Sequence, residues 1–302
     1  MNLKLADAAL AAYGKQLDDA DNARLAFFRA IWDVRERIAA EHAPRAHVMP
    51  AADDLRAWAA EGVPVLHRAP LAIDAAVLAD ACGAVASCIA EKGGFAPEAT
   101  AALSSFDWAA AIDGSPLEVA GSNPSAYVDA FAQRLLADGA DEAAASVIVS
   151  AVFYALRALV EPSAAALQRA LEDAGADEGH PLECPVCGAP ATAARVGVTK
   201  KSDGRAKTLW CAQCGCTWAF ERVRCARCGT RNQGHLHYFN VEGDDSHRIA
   251  TCDECGGYMR TVFQDDALAP FSFDVEDVVM ARLDSIALSQ LAAQAQADAA
   301  QG

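Results

Sequence analysis

Residues 184–188 read Cys-Pro-Val-Cys-Gly, and three more Cys-x-x-Cys-Gly motifs follow along the chain. The first two motifs are separated by 23 residues, and the whole four-cysteine pattern begins again 41 residues later. The cysteines are Cys184, Cys187, Cys211 and Cys214 in the first copy, and Cys225, Cys228, Cys252 and Cys255 in the second. Two thiolates on one tight turn can bind a metal ion together, and the following glycine permits the turn's unusual backbone angles. The pattern therefore predicts two tandem metal-binding β-ribbons.

The four Cys-x-x-Cys-Gly turns, called knuckles below, can share two metal ions in three ways. The sequential arrangement keeps each ion within one copy, whereas the cross-braced and nested arrangements mix knuckles from both copies. The duplication favours the sequential arrangement, because each copied ribbon should keep its own ion. Structural zinc is the default occupant of a four-cysteine site, and four thiolates also suit the iron of a rubredoxin-like centre. The spacing does not decide between these metals.

A thiol–disulfide redox role for the knuckles is disfavoured, because that chemistry needs a single motif at the start of a helix.

The charge of the chain disfavours a nucleic-acid partner. The net charge of the 302 residues is −16, with −14 in residues 1–183, +4 in residues 184–262 and −6 in residues 263–302. Eight thiolates with two divalent cations contribute −4, which cancels the positive charge of the knuckle region. Since binding to a phosphate backbone depends on an excess of Lys and Arg, we predict no nucleic-acid binding.

The expected fold class is α+β, with an N-terminal α-helical bundle, two tandem rubredoxin-like or zinc-ribbon four-cysteine β-modules, and a C-terminal helix. Alanine-rich amphipathic stretches, broken by Gly and Pro, predict the helices. The predicted units are residues 1–175 for the helical domain, 182–219 for the first ribbon, 220–265 for the second ribbon and 270–302 for the C-terminal helix. Strands are expected over residues 192–199, 206–210, 236–241 and 247–251, with hairpin turns at 201–204 and 242–245.

The apolar segment at residues 143–160 is expected to be a buried helix rather than a membrane span. Ser146, Ser150 and Arg157 interrupt its apolar run. Asp141 is the predicted N-cap of this helix, and Pro162 is expected to interrupt it. Asp274 is the predicted N-cap of the C-terminal helix. No secretory signal is apparent, and metal-type cysteine pairs are typical of a reducing compartment. We therefore predict a cytoplasmic protein with no membrane insertion.

Several residues beside the knuckles are candidates for contact with a partner protein. They are Trp218, Arg224, His237 and Tyr258. Packing around the metal sites is the alternative role of the two aromatic side chains. Cys216, a ninth cysteine two positions after Cys214, is interpreted as a buried thiol rather than a spare ligand.

The knuckles and their flanks resemble those of FdhE-type formate dehydrogenase accessory proteins. The resemblance covers roughly the last 120 residues. It rests on Cys184-Pro-Val-Cys-Gly188, Trp210-Cys-Ala-Gln-Cys214, Arg222-Val-Arg-Cys-Ala-Arg-Cys-Gly229 and Thr251-Cys-Asp-Glu-Cys-Gly-Gly-Tyr258. The helical N-terminal half is compatible with the family in size and resembles it much less.

The resemblance implies a maturation factor rather than an enzyme. Such a protein would be cytoplasmic and would bind the catalytic subunit of a respiratory formate dehydrogenase to make it active. The eight knuckle cysteines would then hold two rubredoxin-like iron ions, with zinc as the alternative metal. The oligomeric state stays open, with a homodimer as one option. Two other functions fit the motifs: a zinc-ribbon adaptor for nucleic acid or protein, and an independent rubredoxin-like electron carrier.

Overall fold

The computed structural model describes residues 1–13, 17–42, 48–198, 205–240 and 243–289. Helices occupy the N-terminal part, a β-sheet carrying two four-cysteine clusters follows, and helical residues end the described chain. The predicted α+β class is therefore confirmed.

Ten helices precede the sheet in the described residues. They are α1 Leu3–Tyr13, α2 Asp19–His42, α3 Ala52–Glu61, α4 Val65–Arg68, α5 Ala75–Lys92, α6 Pro97–Ser105, α7 Trp108–Asp113, α8 Leu117–Ser122, α9 Pro124–Ala137 and α10 Glu142–Asp173. The long helix α10 is central, because it packs against α2, α5, α6 and α9.

Helix α10 begins at a capping aspartate, passes through a proline and is largely buried. The Asp141 carboxylate accepts hydrogen bonds from the amides of Ala143 and Ala144, which confirms the predicted N-cap. The helix continues through Pro162 instead of being interrupted there. By length and composition α10 could cross a membrane, but 61% of its most apolar window is buried inside the protein. Burial by neighbouring helices accounts for its apolar composition.

Each cysteine copy folds into a three-stranded antiparallel ribbon. The strands are β1 Ala193–Val198, β2 Arg205–Trp210 and β3 Thr217–Phe220 in the first copy, and β4 Leu236–Asn240, β5 His247–Cys252 and β6 Tyr258–Gln264 in the second. Four of them correspond to the predicted strands, and β3 and β6 are additional. The predicted turn at 201–204 lies outside the described residues, as does the start of the turn at 242–245.

The two ribbons join into one six-stranded sheet in the order β3-β2-β1-β6-β5-β4. The join is the parallel pairing of β1 with β6, in which Ala193 lies opposite Arg260. The first ribbon also packs against the helices. Helix α4 is tied to the first knuckle by the amides of Val65 and Leu66, which donate to the carbonyls of Pro185 and Val186 at 3.0 and 2.9 Å. A single apolar core therefore runs from the helices into the first ribbon.

Beyond the sheet, α11 (Phe273–Val279) returns to the N-terminal helices, whereas Leu283 and Ala287 of the helical residues 281–289 pack in an apolar cluster with residues of the sheet. Helix α11 packs against α1 and α2. The predicted N-cap role of Asp274 is wrong: Ser272 occupies the N-cap, without a side-chain hydrogen bond. The Asp274 carboxylate instead lies 2.9 Å from Arg35 Nη1 and 2.8 Å from Arg157 Nη2. Two buried guanidinium groups attract this carboxylate more strongly than one backbone amide.

Asp274 belongs to a buried ionic cluster that links α2, α10 and α11. The side chains of Arg35 and Arg157 are only 1% and 2% exposed. Glu161 is the second carboxylate, with Oε2 2.6 Å from Arg35 Nη2 and 3.5 Å from Arg157 Nε. Burial opposes ionisation of Glu161, but the two guanidinium groups outweigh it and lower the pKa of Glu161 to about 2. Glu161 is therefore ionised throughout the physiological pH range.

A second buried cluster surrounds His247 on β5. The imidazole Nδ1 lies 2.9 Å from the Asp244 carboxylate, and Nε2 lies 2.9 Å from Glu276 of α11. Tyr13 donates its hydroxyl hydrogen to Glu276 at 2.5 Å, and Arg282 lies 3.0 Å from Asp244. Burial disfavours the imidazolium, but the two carboxylates outweigh this effect and raise the pKa of His247 to about 9.

This shift predicts a pH-dependent contribution to stability. The pKa of an unfolded His is about 6.5, so the imidazolium contributes fully below that pH and its contribution disappears as the pH rises through about 9. The shift corresponds to about 3 kcal/mol at most. We therefore expect the His247→Gln variant to lose more unfolding free energy at pH 6 than at pH 10, as measured by urea titration. An equal loss at both pH values would contradict this assignment of charge.

Candidate metal centres

The first four-cysteine cluster contains Cys184, Cys187, Cys211 and Cys214, whose sulfur atoms all lie within 4.8 Å of one another. Cys184 Sγ lies 3.5 Å from Cys214 Sγ, and Cys187 Sγ lies 3.5 Å from Cys211 Sγ. These contacts are far longer than a disulfide bond of about 2.05 Å. They approach the edge of about 3.8 Å that a tetrahedron has when its metal–sulfur bonds are about 2.3 Å.

The second cluster contains Cys225, Cys228, Cys252 and Cys255 within the same 4.8 Å limit. The contacts from Cys225 Sγ to Cys255 Sγ and from Cys228 Sγ to Cys252 Sγ are both 3.8 Å. Each cluster thus draws its sulfurs from one copy of the duplication, which is the sequential arrangement. Neither cross-braced nor nested grouping occurs among the described residues.

All four knuckles share one backbone geometry. In each, the glycine amide donates to the carbonyl of the first cysteine, at 2.9 to 3.1 Å. Every knuckle glycine has a positive φ, between 65° and 81°, which residues with a side chain rarely adopt. The glycines are Gly188, Gly215, Gly229 and Gly256. This repeated turn points two sulfurs of each knuckle toward the same point.

Backbone amides also favour the thiolate form in the second cluster. The amide of Arg227 donates to Cys225 Sγ at 3.3 Å. Burial raises the pKa of Cys225, but donors from the knuckle backbone and the neighbouring thiols outweigh it and lower the pKa to about 7. Since the thiolate is the metal-binding form, this knuckle is prepared for a cation.

The donor set fits a tetrahedral soft metal ion in each cluster. Four cysteine sulfurs suit zinc and rubredoxin-type iron, whereas calcium and magnesium require oxygen ligands. Two ions can be held, one per cluster. The geometry is common to zinc and iron, so the structure supports the predicted pair of ions without choosing the element.

The two clusters differ in their access to solvent. The four cysteines of the first cluster are at most 1% exposed, whereas Cys228 and Cys255 of the second are exposed. Helices cover the first cluster so closely that a Cβ at Gly188 would lie 2.8 Å from His67 Nε2, and one at Gly215 would lie 3.0 Å from Glu161 Oε1. A Cβ at Gly256 would meet nothing within 4 Å. The duplicated sites are therefore unequal in burial.

This difference predicts two rates of metal release. A chelator reaches the first cluster only after local opening of the core, whereas the second already faces solvent. We expect the ion of the second cluster to be released at least about tenfold faster than the ion of the first cluster. Each 1.4 kcal/mol of free energy needed to open the core slows release from the first cluster tenfold. Coloured chelate formation gives the rates, and mass spectrometry after alkylation should find Cys228 and Cys255 modified first. A single rate, with labels spread over both clusters, would contradict the prediction.

The four predicted partner-contact residues occupy different environments. Trp218 is 5% exposed and its indole donates to the Pro181 carbonyl at 2.9 Å, which is the packing role considered for it above. Arg224 is half-buried and donates to the carbonyls of His180 and Gly229. His237 is exposed and lies 2.8 Å from Asp253. Tyr258 is half-buried and donates to Asp284 at 3.0 Å.

Cys216 is buried beside the first cluster but is not among its four clustered sulfurs. Its thiol donates to the Ala164 carbonyl of α10 at 3.4 Å. This hydrogen bond connects the first ribbon to α10.

Sequence reasoning did not single out Lys207, Arg222 or Arg227, which lie beside the second cluster. Their clustering depends on the fold of the ribbon, although Arg222 and Arg227 are near the third knuckle in sequence.

Comparison with known proteins gives matches to FdhE proteins, although no family model matches the chain. A protein named FdhE homolog from Pseudomonas aeruginosa is 32% identical over 152 residues, covering 44% of this chain and 48% of that protein. The FdhE homolog of Aquifex aeolicus is 32% identical over 108 residues, covering 35% and 37%. The chain thus spans about half or less of the length of these curated relatives.

The fold is also similar to a solved one. The crystal structure of the FdhE protein from Pseudomonas aeruginosa superposes with a TM-score of 0.52 at 20% identity. The superposition covers 88% of this chain and 84% of that one, so the likeness extends over both the helices and the sheet. The resemblance that the knuckles indicate is therefore confirmed: the chain is similar in sequence to FdhE homologues and shares the fold of an FdhE protein.

Proposed function

We propose that this chain is a cytoplasmic accessory factor that binds the catalytic subunit of a formate dehydrogenase and helps to make it active. The single observation that carries the proposal is the sequence similarity to FdhE homologues, in a chain that also forms two four-cysteine clusters. The FdhE name implies a role in formate dehydrogenase maturation. On this proposal the chain acts on a protein partner and is not itself an enzyme.

The proposed metal is iron in both clusters, with zinc as the competing occupant. Iron held by four thiolates supplies a one-electron redox couple, whereas zinc supplies structure alone. The exposed second cluster is the one that could face the partner, because Cys228 and Cys255 reach the surface. The buried first cluster would serve chiefly to hold the ribbon against the helices.

The cytoplasmic location is supported by the chemistry of the cysteines. All eleven cysteines are free thiols in the structure, including the eight in the clusters. Metal-binding thiolates persist in a reducing compartment, whereas an oxidising one favours disulfides. Burial of most of the apolar window of α10 is consistent with a soluble protein.

The proposal is tested by deletion and by purification. We expect a strain without this gene to lose formate dehydrogenase activity, and the intact gene on a plasmid to restore it. A tagged copy should retain the catalytic subunit through an affinity column, as identified by mass spectrometry. Normal formate dehydrogenase activity in the deletion strain would overturn the proposal. A red, reversibly reducible protein that binds a different soluble redox partner would favour the independent electron carrier.

A further inference from the structure

The two clusters adjoin cavities of opposite charge. In the part of the chain that the structure describes, a cavity of about 780 Å³ beside Cys184 of the first cluster is lined by four carboxylates and by neither Lys nor Arg. These carboxylates belong to Glu61, Glu172, Asp177 and Glu183. Among the described residues, a cavity of about 220 Å³ beside Cys225 and Cys252 of the second cluster is lined by four cationic side chains and no carboxylate. The cations are Lys207, Arg222, Arg224 and Arg227.

Three of the four cations in the second cavity have no carboxylate partner among the described residues. Lys207 is 4% exposed, and its ammonium group donates to the Arg224 carbonyl at 3.2 Å. Arg227 Nε donates to the Tyr258 carbonyl at 3.3 Å, and Arg222 is exposed. The fourth cation, Arg224, forms an ion pair with Glu221 at 3.3 Å. Burial disfavours the charge of Lys207, and the Cys225 thiolate offsets this only in part, so this cavity favours an additional anion.

The charge of the metal cluster does not account for these cations. Four thiolates and one divalent ion carry a formal charge of −2 in either cluster. The first cluster has the same formal charge, yet the cavity beside it is lined by carboxylates. Neutralisation of a tetrathiolate centre in this fold therefore does not require a group of Lys and Arg side chains.

The remaining walls of the second cavity lie at the edge of the sheet and combine apolar side chains with the polar Gln233, His237 and Thr251. Leu236 and Tyr238 come from β4, which is the outermost strand, and Met259 comes from β6. The volume of about 220 Å³ is smaller than the roughly 300–1,000 Å³ of typical small-molecule sites. It suits one or two side chains of a peptide, with a carboxylate meeting the cations and an apolar group meeting the sheet.

We propose that the cationic cavity beside the second cluster is a docking site for an acidic segment of a partner protein. The segment presents a Glu or Asp carboxylate to Lys207, Arg222 and Arg227, next to the exposed face of the second cluster. That the occupant is a protein is inferred from the proposed function. That it is acidic is inferred from the cationic lining of the cavity. Three residues predicted for partner contact, Arg224, His237 and Tyr258, line the same cavity.

The test uses metal-loaded, full-length protein and a short fluorescein-labelled peptide of alternating glutamate and leucine. A matched peptide carries glutamine in place of glutamate, and inorganic phosphate serves as the free anion. Fluorescence anisotropy measures peptide binding and calorimetry measures phosphate binding. The double variant Arg222→Ala/Arg227→Ala removes two exposed charges from the cavity. The control Arg56→Ala/Arg68→Ala removes the same charge from arginines that are 51% and 52% exposed elsewhere.

We expect the acidic peptide to bind more tightly than the glutamine peptide, with an affinity that falls as salt rises. The Arg222→Ala/Arg227→Ala variant should lose about tenfold in affinity while retaining both metal ions, and the control should bind like the wild type. Equal binding of the two peptides, equal losses in the two variants, or binding of phosphate alone would overturn the proposal.

The docking site and the proposed function can fail independently, and the two failures give different results. If peptide binding fails while the wild-type protein still co-purifies with the formate dehydrogenase subunit, only the docking site is wrong. If co-purification and the deletion phenotype fail while the acidic peptide binds as expected, the proposed function is wrong and the site belongs to another acidic partner.

Discussion

The Cys187→Ser variant is expected to lose the ion of the first cluster and, with it, the cooperative fold of the chain. Cys187 is 0% exposed and lies in the same apolar core as the helices. Structural zinc sites contribute about 10–16 kcal/mol in small peptides, which is comparable to the whole unfolding free energy of about 5–15 kcal/mol of a domain. Loss of this ion should therefore disturb α4 and α10 as well as the first ribbon.

Elemental analysis and circular dichroism of protein made in metal-replete medium measure this effect. The matched variant Cys228→Ser should lose only the ion of the second cluster and keep the helical signal, because Cys228 is exposed. Cys216→Ala, which alters a buried thiol outside the clusters, should keep both ions. A Cys187→Ser protein with wild-type helicity and a cooperative unfolding transition would show that the first cluster does not hold the fold together.

The Asp274→Ala variant is expected to lower the free energy of unfolding by about 3–5 kcal/mol. The substitution leaves the buried guanidinium groups of Arg35 and Arg157 with Glu161 as their shared carboxylate. Removing one member of a buried charged network is costly, because a desolvated charge then lacks its partner. Urea titration at neutral pH, followed by circular dichroism, gives the change.

Asp33→Ala is the matched control for this variant. Asp33 pairs with Arg29 on the surface of α2, and its side chain is 60% exposed. Exposed pairs contribute about 0–1 kcal/mol, so the control should lose little stability. Similar losses of unfolding free energy in the two variants would contradict the claim that burial makes the Arg35–Arg157 cluster more stabilising than a surface ion pair.

The sequence predicts the local features of this fold well. Four strands, the N-cap at Asp141 and the left-handed knuckle glycines all follow from short-range patterns, as does the succession of helices, ribbons and helix. Duplication at a constant spacing also favours the sequential grouping of sulfurs that the structure shows. Each of these features depends on residues close together in the chain.

Features that depend on distant residues could not be predicted in the same way. The parallel pairing of β1 with β6 joins residues that are 67 positions apart in the chain, and no spacing rule specifies it. Asp274 has the composition of an N-cap, but two arginines distant in sequence bind it instead. The unequal burial of the two clusters arises because α4 and α10 cover the first one, although the two cysteine patterns are identical.

X-ray diffraction at the absorption edge of the bound metal, identified first by elemental analysis, tests the central claim most directly. Crystals of metal-replete protein should show two anomalous peaks per chain, each about 2.3 Å from four sulfur atoms of a single copy. One peak would adjoin Cys184, Cys187, Cys211 and Cys214, and the other Cys225, Cys228, Cys252 and Cys255. A peak shared between the copies, a single peak, or disulfides among these sulfurs would contradict the account.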